Sequence, residues 1–223
     1  MDVLRLSEQS DADLDALYAV PSLPWLRVNM ISTADGAATG PDGRSGGINN
    51  AADKRVFDTV RRLCDAVVVG AGTARDEGYQ DVSKPIVLVS RRGEVPDQLR
   101  DAPPGAVRLA TMAGAQHLEE SRAILGADHV HVLGEDRVDL AGLKATLAGL
   151  GLTNLLSEGG PQLLSALLAQ GVVDELDLTI VPRLLGGEYL RITRGPPVDV
   201  PLRLALLLED EGTLLARWTT HAD

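Results

Sequence analysis

Residues 151–165 have the sequence GLTNLLSEGGPQLLS, and this stretch decides the fold class. A short apolar run ends at Ser157-Glu158, two glycines and Pro161 follow, and an apolar-periodic segment comes next. This order predicts a buried strand, a tight turn and a helix that begins near the proline. Because a helix start has unpaired N–H groups and glycine permits close approach, the turn is a candidate phosphate site. Glu158 would point into the same crevice, beyond the carboxyl end of the strand.

The same alternation of strands and helices extends through most of the chain. Strands are predicted at residues 25–32, 65–70, 86–90, 107–111, 129–133 and 175–181, and a hairpin at 202–219. Helices are predicted after Asn50 and near 115–125, 139–149 and 162–170, with a glycine-rich loop at 70–78. We therefore predict an α/β fold, with a single domain (25–223) built on a mixed, mostly parallel central sheet flanked by helices. Residues 1–24 are predicted to be an N-terminal extension with a short helix.

Composition and charge narrow the class of protein. The chain has 223 residues, a formal net charge of −11 and one cysteine, Cys64. The acidic balance argues against a nucleic acid partner, because phosphate backbones need a basic face. A single cysteine excludes an internal disulfide and a multi-cysteine zinc site, and no metal site is predicted. The polar N-terminus and the lack of an apolar run near the roughly 20 residues that span a bilayer predict a soluble, cytoplasmic protein without a membrane partner.

Three glycine-bearing turns follow predicted strands, at Gly70–Thr73, Ser90–Gly93 and Ser157–Gly160. Ligands of α/β sheets bind beyond the carboxyl ends of strands, so the three turns could frame one elongated ligand such as a dinucleotide. On its own, each turn is more simply an ordinary strand-to-helix connection, and a complete G-x-G-x-x-G fingerprint is absent. Arg91 and Arg92 suit a phosphate monoester such as the 2′-phosphate of NADPH, or else form a solvated loop tip.

Two acidic residues stand at predicted helix starts. Glu158 could hold a substrate hydroxyl or amine, or stabilise a developing cation. It could equally be an acid that the helix dipole favours. Asp53 lies three residues after Asn50, in the pattern of a near capping box. The residues alone leave both interpretations of Glu158 open and give Asp53 a capping role.

Six separated motifs recur in an order and spacing that resemble one family. They are STADG (32–36), SGGIN (45–49), VRRLCDAVVVGAGT (60–73), SEGGPQL (157–163), VDEL (173–176) and IVPRLLGG (180–187). This series resembles the C-terminal reductase domain of bifunctional riboflavin-biosynthesis enzymes of the RibD type and their stand-alone pyrimidine reductase-like relatives. The resemblance covers about residues 25–220.

The resemblance implies a dihydrofolate reductase-like fold, NADPH as hydride donor, a small-molecule substrate and a homodimer. The family reaction reduces the ribose of a ribosylaminopyrimidine phosphate, such as 5-amino-6-ribosylaminouracil phosphate, to a ribityl chain. By position, Ser45, Arg61 and Glu158 would face the substrate, with Glu158 as the catalytic residue. The residues that would contact NADPH are Ile31, Gly47, Gly70, Gly72, Thr73, Glu77, Ser90, Arg91, Arg92, Gly159, Gly160 and Leu163.

Three departures from the family pattern fall on or beside the predicted substrate side. Asn29 stands where family members usually have lysine, Gly47 replaces a tryptophan, and DEGYQ (76–80) replaces Asp-Asp-Pro-x-Leu. We predict an NADPH-dependent reductase of a pyrimidine-type substrate, active in riboflavin biosynthesis. The alternatives are a reductase of a pterin or dihydrofolate-like compound and a non-catalytic NADPH-binding protein.

Overall fold

The computed structural model describes residues 3–220, which are built on one ten-stranded sheet. The strands are β1 (Leu4–Arg5), β2 (Trp25–Thr33), β3 (Ala66–Gly70), β4 (Ile86–Val89), β5 (Val107–Thr111), β6 (Val130–Val132), β7 (Asn154–Ser157), β8 (Glu175–Val181), β9 (Arg203–Asp210) and β10 (Thr213–Thr219). The α-helices are α1 (Asp11–Leu17), α2 (Ala51–Leu63), α3 (Ala71–Glu77), α4 (Leu118–Leu125), α5 (Leu140–Gly149) and α6 (Pro161–Ala169).

The strand order is β1-β9-β10-β8-β2-β7-β3-β4-β5-β6. The seven strands from β8 to β6 in this order run parallel to one another, whereas β10 pairs antiparallel with both β8 and β9. This arrangement confirms the predicted α/β fold with a mixed, mostly parallel sheet, and it confirms the terminal hairpin. The carboxyl ends of β2, β7, β3 and β4 lie side by side, at the edge where ligands of such sheets bind.

The centre of the sheet is buried on both faces. Residues 66–69 of β3 are all fully buried, which explains why this strand is apolar throughout rather than alternating. On one face, Val68 belongs to a core cluster with residues of α5 and α6. On the other face, Val67 and Leu156 belong to a cluster with residues of α1 and α2. The sheet therefore forms the middle layer of three.

The N-terminal segment packs against this body. β1 adds to the sheet edge beside β9, and a reciprocal capping box between Ser10 and Asp13 begins α1. Leu14 and Tyr18 are buried in the same cluster as Val56 of α2. The short helix predicted within residues 1–24 is thus confirmed.

A cluster of charged side chains is buried between β2, β8 and β10. Arg27 is 1% exposed, its Nε lies 3.0 Å from Oδ2 of Asp177, and it also bonds to Glu175. Arg217 donates a hydrogen bond of 2.8 Å to Glu175. Burial raises the pKa of the Asp177 carboxyl well above its usual range, against the opposing charge of Arg27. The two guanidinium groups offset the burial of the Glu175 carboxylate and of the second acidic side chain beside it.

One stretch differs from the sequence expectations. The loop predicted at residues 70–78 is wrong, because Ala71–Glu77 form α3, which ends at Gly78 in the left-handed region with φ +75°.

The loop after β8 has no regular element between residues 182 and 202, a segment that contains four prolines. It folds back over the sheet end, where Leu190 O accepts a hydrogen bond from Ala38 N at 2.7 Å. Within residues 3–220, no helix combines the length and apolar character needed to cross a membrane.

Candidate active site

One large cleft lies at the carboxyl ends of the central parallel strands. Its volume is about 1340 Å³, above the roughly 300–1,000 Å³ typical of small-molecule pockets. The turns at Gly70–Thr73, Ser90–Arg92 and Glu158–Gly160 each contribute lining residues to it. The structure therefore brings the three predicted glycine turns together, with room for two ligands side by side.

Glu158 lies at the end of β7 in a network of three side chains. Its carboxylate is 3% exposed, and Oε2 accepts a hydrogen bond from the Tyr79 hydroxyl. Oε1 lies 3.2 Å from Nε of Arg61, which belongs to the last turn of α2. Arg61 also lies over the rings of Phe57 and Tyr79, at 5.5 and 5.8 Å from their centroids. Glu158 is therefore held in one orientation from two sides.

Burial sets the protonation of this network. It raises the pKa of Glu158, while the charge of Arg61 and the hydrogen bond from Tyr79 act in the opposite direction. Burial also raises the pKa of Tyr79 well above its usual range, and the neighbouring Glu158 charge adds to this. Tyr79 is therefore a stable donor, and Glu158 is a carboxylate whose charge depends on its two partners.

The glycine turns of β3 and β7 are joined directly. Gly70 N donates a hydrogen bond of 2.9 Å to Gly159 O, and Gly160 caps the start of α6. A Cβ on Gly160 would lie 2.1 Å from Oγ1 of Thr73. Glycine is thus required at position 160 because the starts of α3 and α6 approach each other so closely.

Most of the predicted site residues line the cleft. They are Ile31, Ser45, Arg61, Gly70, Gly72, Thr73, Glu77, Ser90, Arg91, Arg92, Glu158, Gly160 and Leu163. The backbone N–H of Ser45 donates 2.9 Å to Glu77, which ties the loop after β2 to the end of α3.

Two predicted cofactor contacts, Gly47 and Gly159, are not among the lining residues. Gly159 is buried beneath the turn, and a Cβ there would lie 2.9 Å from Sδ of Met30. Gly47 O accepts a hydrogen bond of 2.8 Å from Arg183. A Cβ on Gly47 would lie 2.6 Å from Asp42 and 3.0 Å from Gly40, so this loop leaves no room for the tryptophan of the family pattern.

Several residues that line the cleft were not predicted from the sequence as site residues. Tyr79 belongs to the segment that departs from the family pattern, and that departure was the available signal. Arg194 and Leu190 reach the cleft from the long loop after β8, where Arg194 N donates 3.0 Å to Pro161 O. Asp53 and Phe57 line the cleft from α2. Together with Arg61 they stand at intervals of four residues, which places all three on one face of the helix. This spacing was the available signal.

Some of the quoted motifs have structural roles beside the cleft. Asp35 accepts hydrogen bonds from the backbone N–H groups of Leu185 and Gly186, at 3.0 and 2.7 Å. Asp174 accepts 2.6 Å from Leu26 N and also pairs with Lys144. These acids join neighbouring loops and strand ends, and they do not line the cleft.

The donor set of the cleft fits a phosphorylated dinucleotide. Arg91, Arg92, Arg137 and Arg194 all line it, and none of them has an ion pair with a carboxylate in the described residues 3–220. Free guanidinium groups beside a glycine turn are suited to several phosphates. In the same part of the chain, no cluster of three or more His, Cys, Asp or Glu side chains could hold a metal ion.

Comparisons with known proteins agree with this geometry. The family model of the RibD C-terminal domain matches residues 24–214. A 2,5-diamino-6-ribosylamino-4(3H)-pyrimidinone 5′-phosphate reductase of Methanothermobacter thermautotrophicus is 31% identical over 79% of this chain and 86% of its own. A reductase of the same name from Archaeoglobus fulgidus is 29% identical over 74% of this chain and 83% of its own.

Solved structures show the same fold. A pyrimidine reductase-like protein of Corynebacterium diphtheriae has a TM-score of 0.79 and 23% identity, over 94% of this chain and 99% of that one. The dihydrofolate reductase of Enterococcus faecalis has a TM-score of 0.50 and 11% identity, over 89% and 98% of the two chains. The expected dihydrofolate reductase-like architecture is thereby confirmed.

Proposed function

Because the chain belongs to the RibD C-terminal domain family, we propose that it is an NADPH-dependent reductase of a ribosylaminopyrimidine 5′-phosphate in riboflavin biosynthesis. The reaction reduces the sugar carbon that carries the ring amine, in the open imine form of the ribose. The two similar reductases act, by name, on a ribosylaminopyrimidine phosphate of this kind.

The observation that carries the proposal is the buried Glu158 at the junction of the glycine turns. A carboxylate there stabilises positive charge on the imine carbon and nitrogen as reduction begins. Tyr79 and Arg61 fix its two oxygens, so the charge is oriented before the substrate arrives. Arg61 is paired with Glu158, so its guanidinium would face the substrate together with that carboxylate.

NADPH would supply the hydride. The turn at Gly160 and the start of α6 would hold its pyrophosphate, since unpaired N–H groups at a helix start bind anions. Arg91 and Arg92 would hold the 2′-phosphate, and Ile31 would lie along the nicotinamide ring. The other residues that would contact NADPH are Gly70, Gly72, Thr73, Glu77, Ser90 and Leu163.

A homodimer in the cytoplasm is part of the proposal. Leu184, Leu202 and Leu214 are 78, 41 and 37% exposed, and they lie on or beside the antiparallel end of the sheet. Large exposed apolar side chains on this part of the sheet favour burial against a second copy. Sedimentation analysis of the wild type and of Leu184→Ser tests this, and a wild-type monomer at micromolar concentration would contradict it.

The test of function is a reductase assay with the ribosylaminopyrimidine phosphate and NADPH. We expect loss of NADPH absorbance and a product with two additional hydrogen atoms, detected by mass spectrometry. NADPH binding without turnover of any ribosylaminopyrimidine would favour a non-catalytic NADPH-binding protein. Turnover of dihydrofolate alone would favour the pterin alternative.

A further inference from the structure

The guanidinium of Arg61 is the cation beside the expected reacting centre. It pairs with Glu158, and its side chain is 22% exposed. In a ribosylaminopyrimidine 5′-phosphate, only a short carbon chain separates the phosphate from the sugar carbon that is reduced. Arginine commonly holds phosphate through two parallel hydrogen bonds. Arg61 is therefore the first residue to consider as the partner of that phosphate.

The charge of Arg61 is already matched by two carboxylates. Its Nε lies 3.2 Å from Oε1 of Glu158, and its Nη1 lies 3.6 Å from Oδ2 of Asp81. The rings of Phe57 and Tyr79 lie against the same guanidinium, and aromatic faces are also electronegative. With both carboxyls ionised, this group of side chains has an excess of negative charge, which repels a phosphate.

The Asp81 carboxylate is fixed by its own turn. Ser83 donates two hydrogen bonds to it, 2.9 Å from the backbone N–H and 3.0 Å from the hydroxyl. These bonds lower the pKa of Asp81, and the charge of Arg61 adds to this. Asp81 is therefore ionised at neutral pH, and its turn holds it beside Arg61 when a ligand enters the cleft.

The unpaired arginines of the cleft lie in other segments. All four come from the loops after β4, β6 and β8. Of the charged side chains that α2 and residues 78–81 contribute to the cleft, only Arg61 is a cation. The cleft thus has one region with free guanidinium groups, which suits the several phosphates of NADPH, and one region around Glu158 whose cation is neutralised.

We propose that the region formed by α2, residues 78–81 and Glu158 does not select for a phosphate. The protein then reduces the unphosphorylated ribosylaminopyrimidine at least as well as its 5′-phosphate, and Asp81 is the residue that determines this preference. The inference rests on the proposed function for the position of the sugar at Glu158. It widens the substrate class from the phosphate ester to the free ribosyl compound.

Two substrates that differ only in the 5′-phosphate test the proposal. They are 2,5-diamino-6-ribosylamino-4(3H)-pyrimidinone and its 5′-phosphate. We expect the wild-type kcat/KM for the unphosphorylated compound to equal or exceed that for the phosphate. A free guanidinium that bound the phosphate would instead favour the phosphorylated compound by about 10- to 100-fold. A wild-type preference of that size would overturn the proposal and place the phosphate on another arginine of the cleft.

Asp81→Asn should create a preference for the phosphorylated compound. The amide keeps an acceptor for the Ser83 N–H but removes the charge from Arg61, and the fold should tolerate it because the Asp81 side chain is 59% exposed. We expect the KM of the phosphorylated compound to fall about 3- to 10-fold, while the KM of the other stays within about 2-fold. An equal change of KM for the two compounds would overturn the role of Asp81.

Asp15→Asn is the matched control, because Asp15 pairs with the next arginine of α2, Arg62, outside the cleft. It removes the same charge and should keep the wild-type ratio of the two compounds. Inorganic phosphate at saturating NADPH gives a second measurement. It should compete with the unphosphorylated substrate more strongly in Asp81→Asn than in the wild type, and equal inhibition of the two proteins would contradict the proposal.

Binding measurements separate this inference from the proposed function. If neither compound is reduced, calorimetric titration of the two corresponding ribityl compounds still decides it. Wild-type affinities that do not favour the phosphate, together with tighter binding of the phosphate by Asp81→Asn, would support the inference while the proposed reaction fails. Markedly tighter binding of the phosphate by the wild type would overturn the inference even if the reaction is confirmed.

Discussion

The hydroxyl of Tyr79 donates a hydrogen bond to Oε2 of Glu158, so the segment that departs most from the family pattern supplies a direct partner of the expected catalytic carboxylate. Arg61 occupies the other oxygen at 3.2 Å. The orientation and the charge of Glu158 therefore both depend on residues from separate elements, α2 and the loop after α3.

Removing the Tyr79 hydroxyl should move the pH dependence of the reaction. In Tyr79→Phe, Glu158 loses a donor that lowers its pKa, so that pKa rises further above its usual value. A reaction that needs the ionised carboxylate then loses activity at a higher pH as the solution is acidified. We expect the acid limb of the kcat/KM profile to move to higher pH, with kcat at neutral pH about 3- to 10-fold lower. Tyr189→Phe, outside the cleft, should leave the profile in place, and an unshifted profile in Tyr79→Phe would contradict the assignment.

Neutralising Glu158 should separate turnover from cofactor binding. Glu158→Gln keeps the shape of the side chain but removes the negative charge that stabilises the imine. We expect kcat to fall about 10²- to 10³-fold, with the Kd for NADPH within about 3-fold of the wild type. Glu119→Gln on the exposed side of α4 provides the control. Unchanged turnover in Glu158→Gln would remove the catalytic role.

The two arginines after Ser90 should determine the choice between NADPH and NADH. Arg91 and Arg92 are exposed in the cleft and have no carboxylate partner within the described residues. Replacing both by Ala should weaken NADPH binding by about 10- to 100-fold and NADH binding by less than about 3-fold. Fluorescence titration measures both constants, with Arg122→Ala on α4 as the control. Equal losses for the two cofactors would place the 2′-phosphate elsewhere.

Close contact between two turns makes Gly160 sensitive to a single methyl group. A Cβ at this position would lie 2.1 Å from Oγ1 of Thr73 but 3.4 Å from its Cβ. Gly160→Ala should therefore lose about 1–3 kcal/mol of unfolding free energy. The double variant Gly160→Ala/Thr73→Ala should recover part of that loss, which denaturant unfolding of the four proteins in the cycle measures. A purely additive cycle would show that the contact is not the cause.

Breaking the buried charge cluster should make the stability of the protein depend on pH. Arg27→Met leaves Glu175 and Asp177 buried without their main partner, at a cost of about 3–5 kcal/mol at neutral pH. The folded-state pKa of Glu175, which Arg27 now helps to lower, then rises, and that of Asp177 rises further above its usual range. The folded state binds more protons, so part of the lost stability should return as the pH falls toward 5. Arg62→Met, on an exposed pair, should show neither effect, and a pH-independent loss in Arg27→Met would contradict this account.

Local patterns were sufficient to predict the layers of the fold. The apolar run of β3 needs burial on both faces, and only a covered parallel sheet provides it. The order strand, glycines and Pro161 predicts the β7–α6 turn, because each residue type suits one backbone position there. The short α3 was missed since glycines at positions 70, 72 and 78 are typical of loops, although only Gly78 has a backbone conformation that favours glycine.

The chemistry of the cleft was only partly predictable. Asp53 matches the local pattern of a capping box, yet its side chain forms no return bond at the helix start and is buried. Its pKa is raised by burial and lowered in part by Thr179, a residue far along the chain whose position only the sheet register determines. Tyr79 lies in the segment that departs from the family pattern, but nothing in that segment predicts its contact with Glu158. Gly47 matches a family position but does not line the cleft, because the loop after β2 folds back on Gly40.

The position of β2 also determines the order in which this protein can assemble during its synthesis. Both of its neighbours come late, since Trp25 pairs with Asn154 and Arg27 pairs with Glu175. Until those residues leave the ribosome, both edges of an apolar strand remain without hydrogen-bonding partners, while β3, β4 and β5 can already pair with one another. The strand that lies under the ligand cleft is thus the part of the nascent chain that depends most on protection from aggregation.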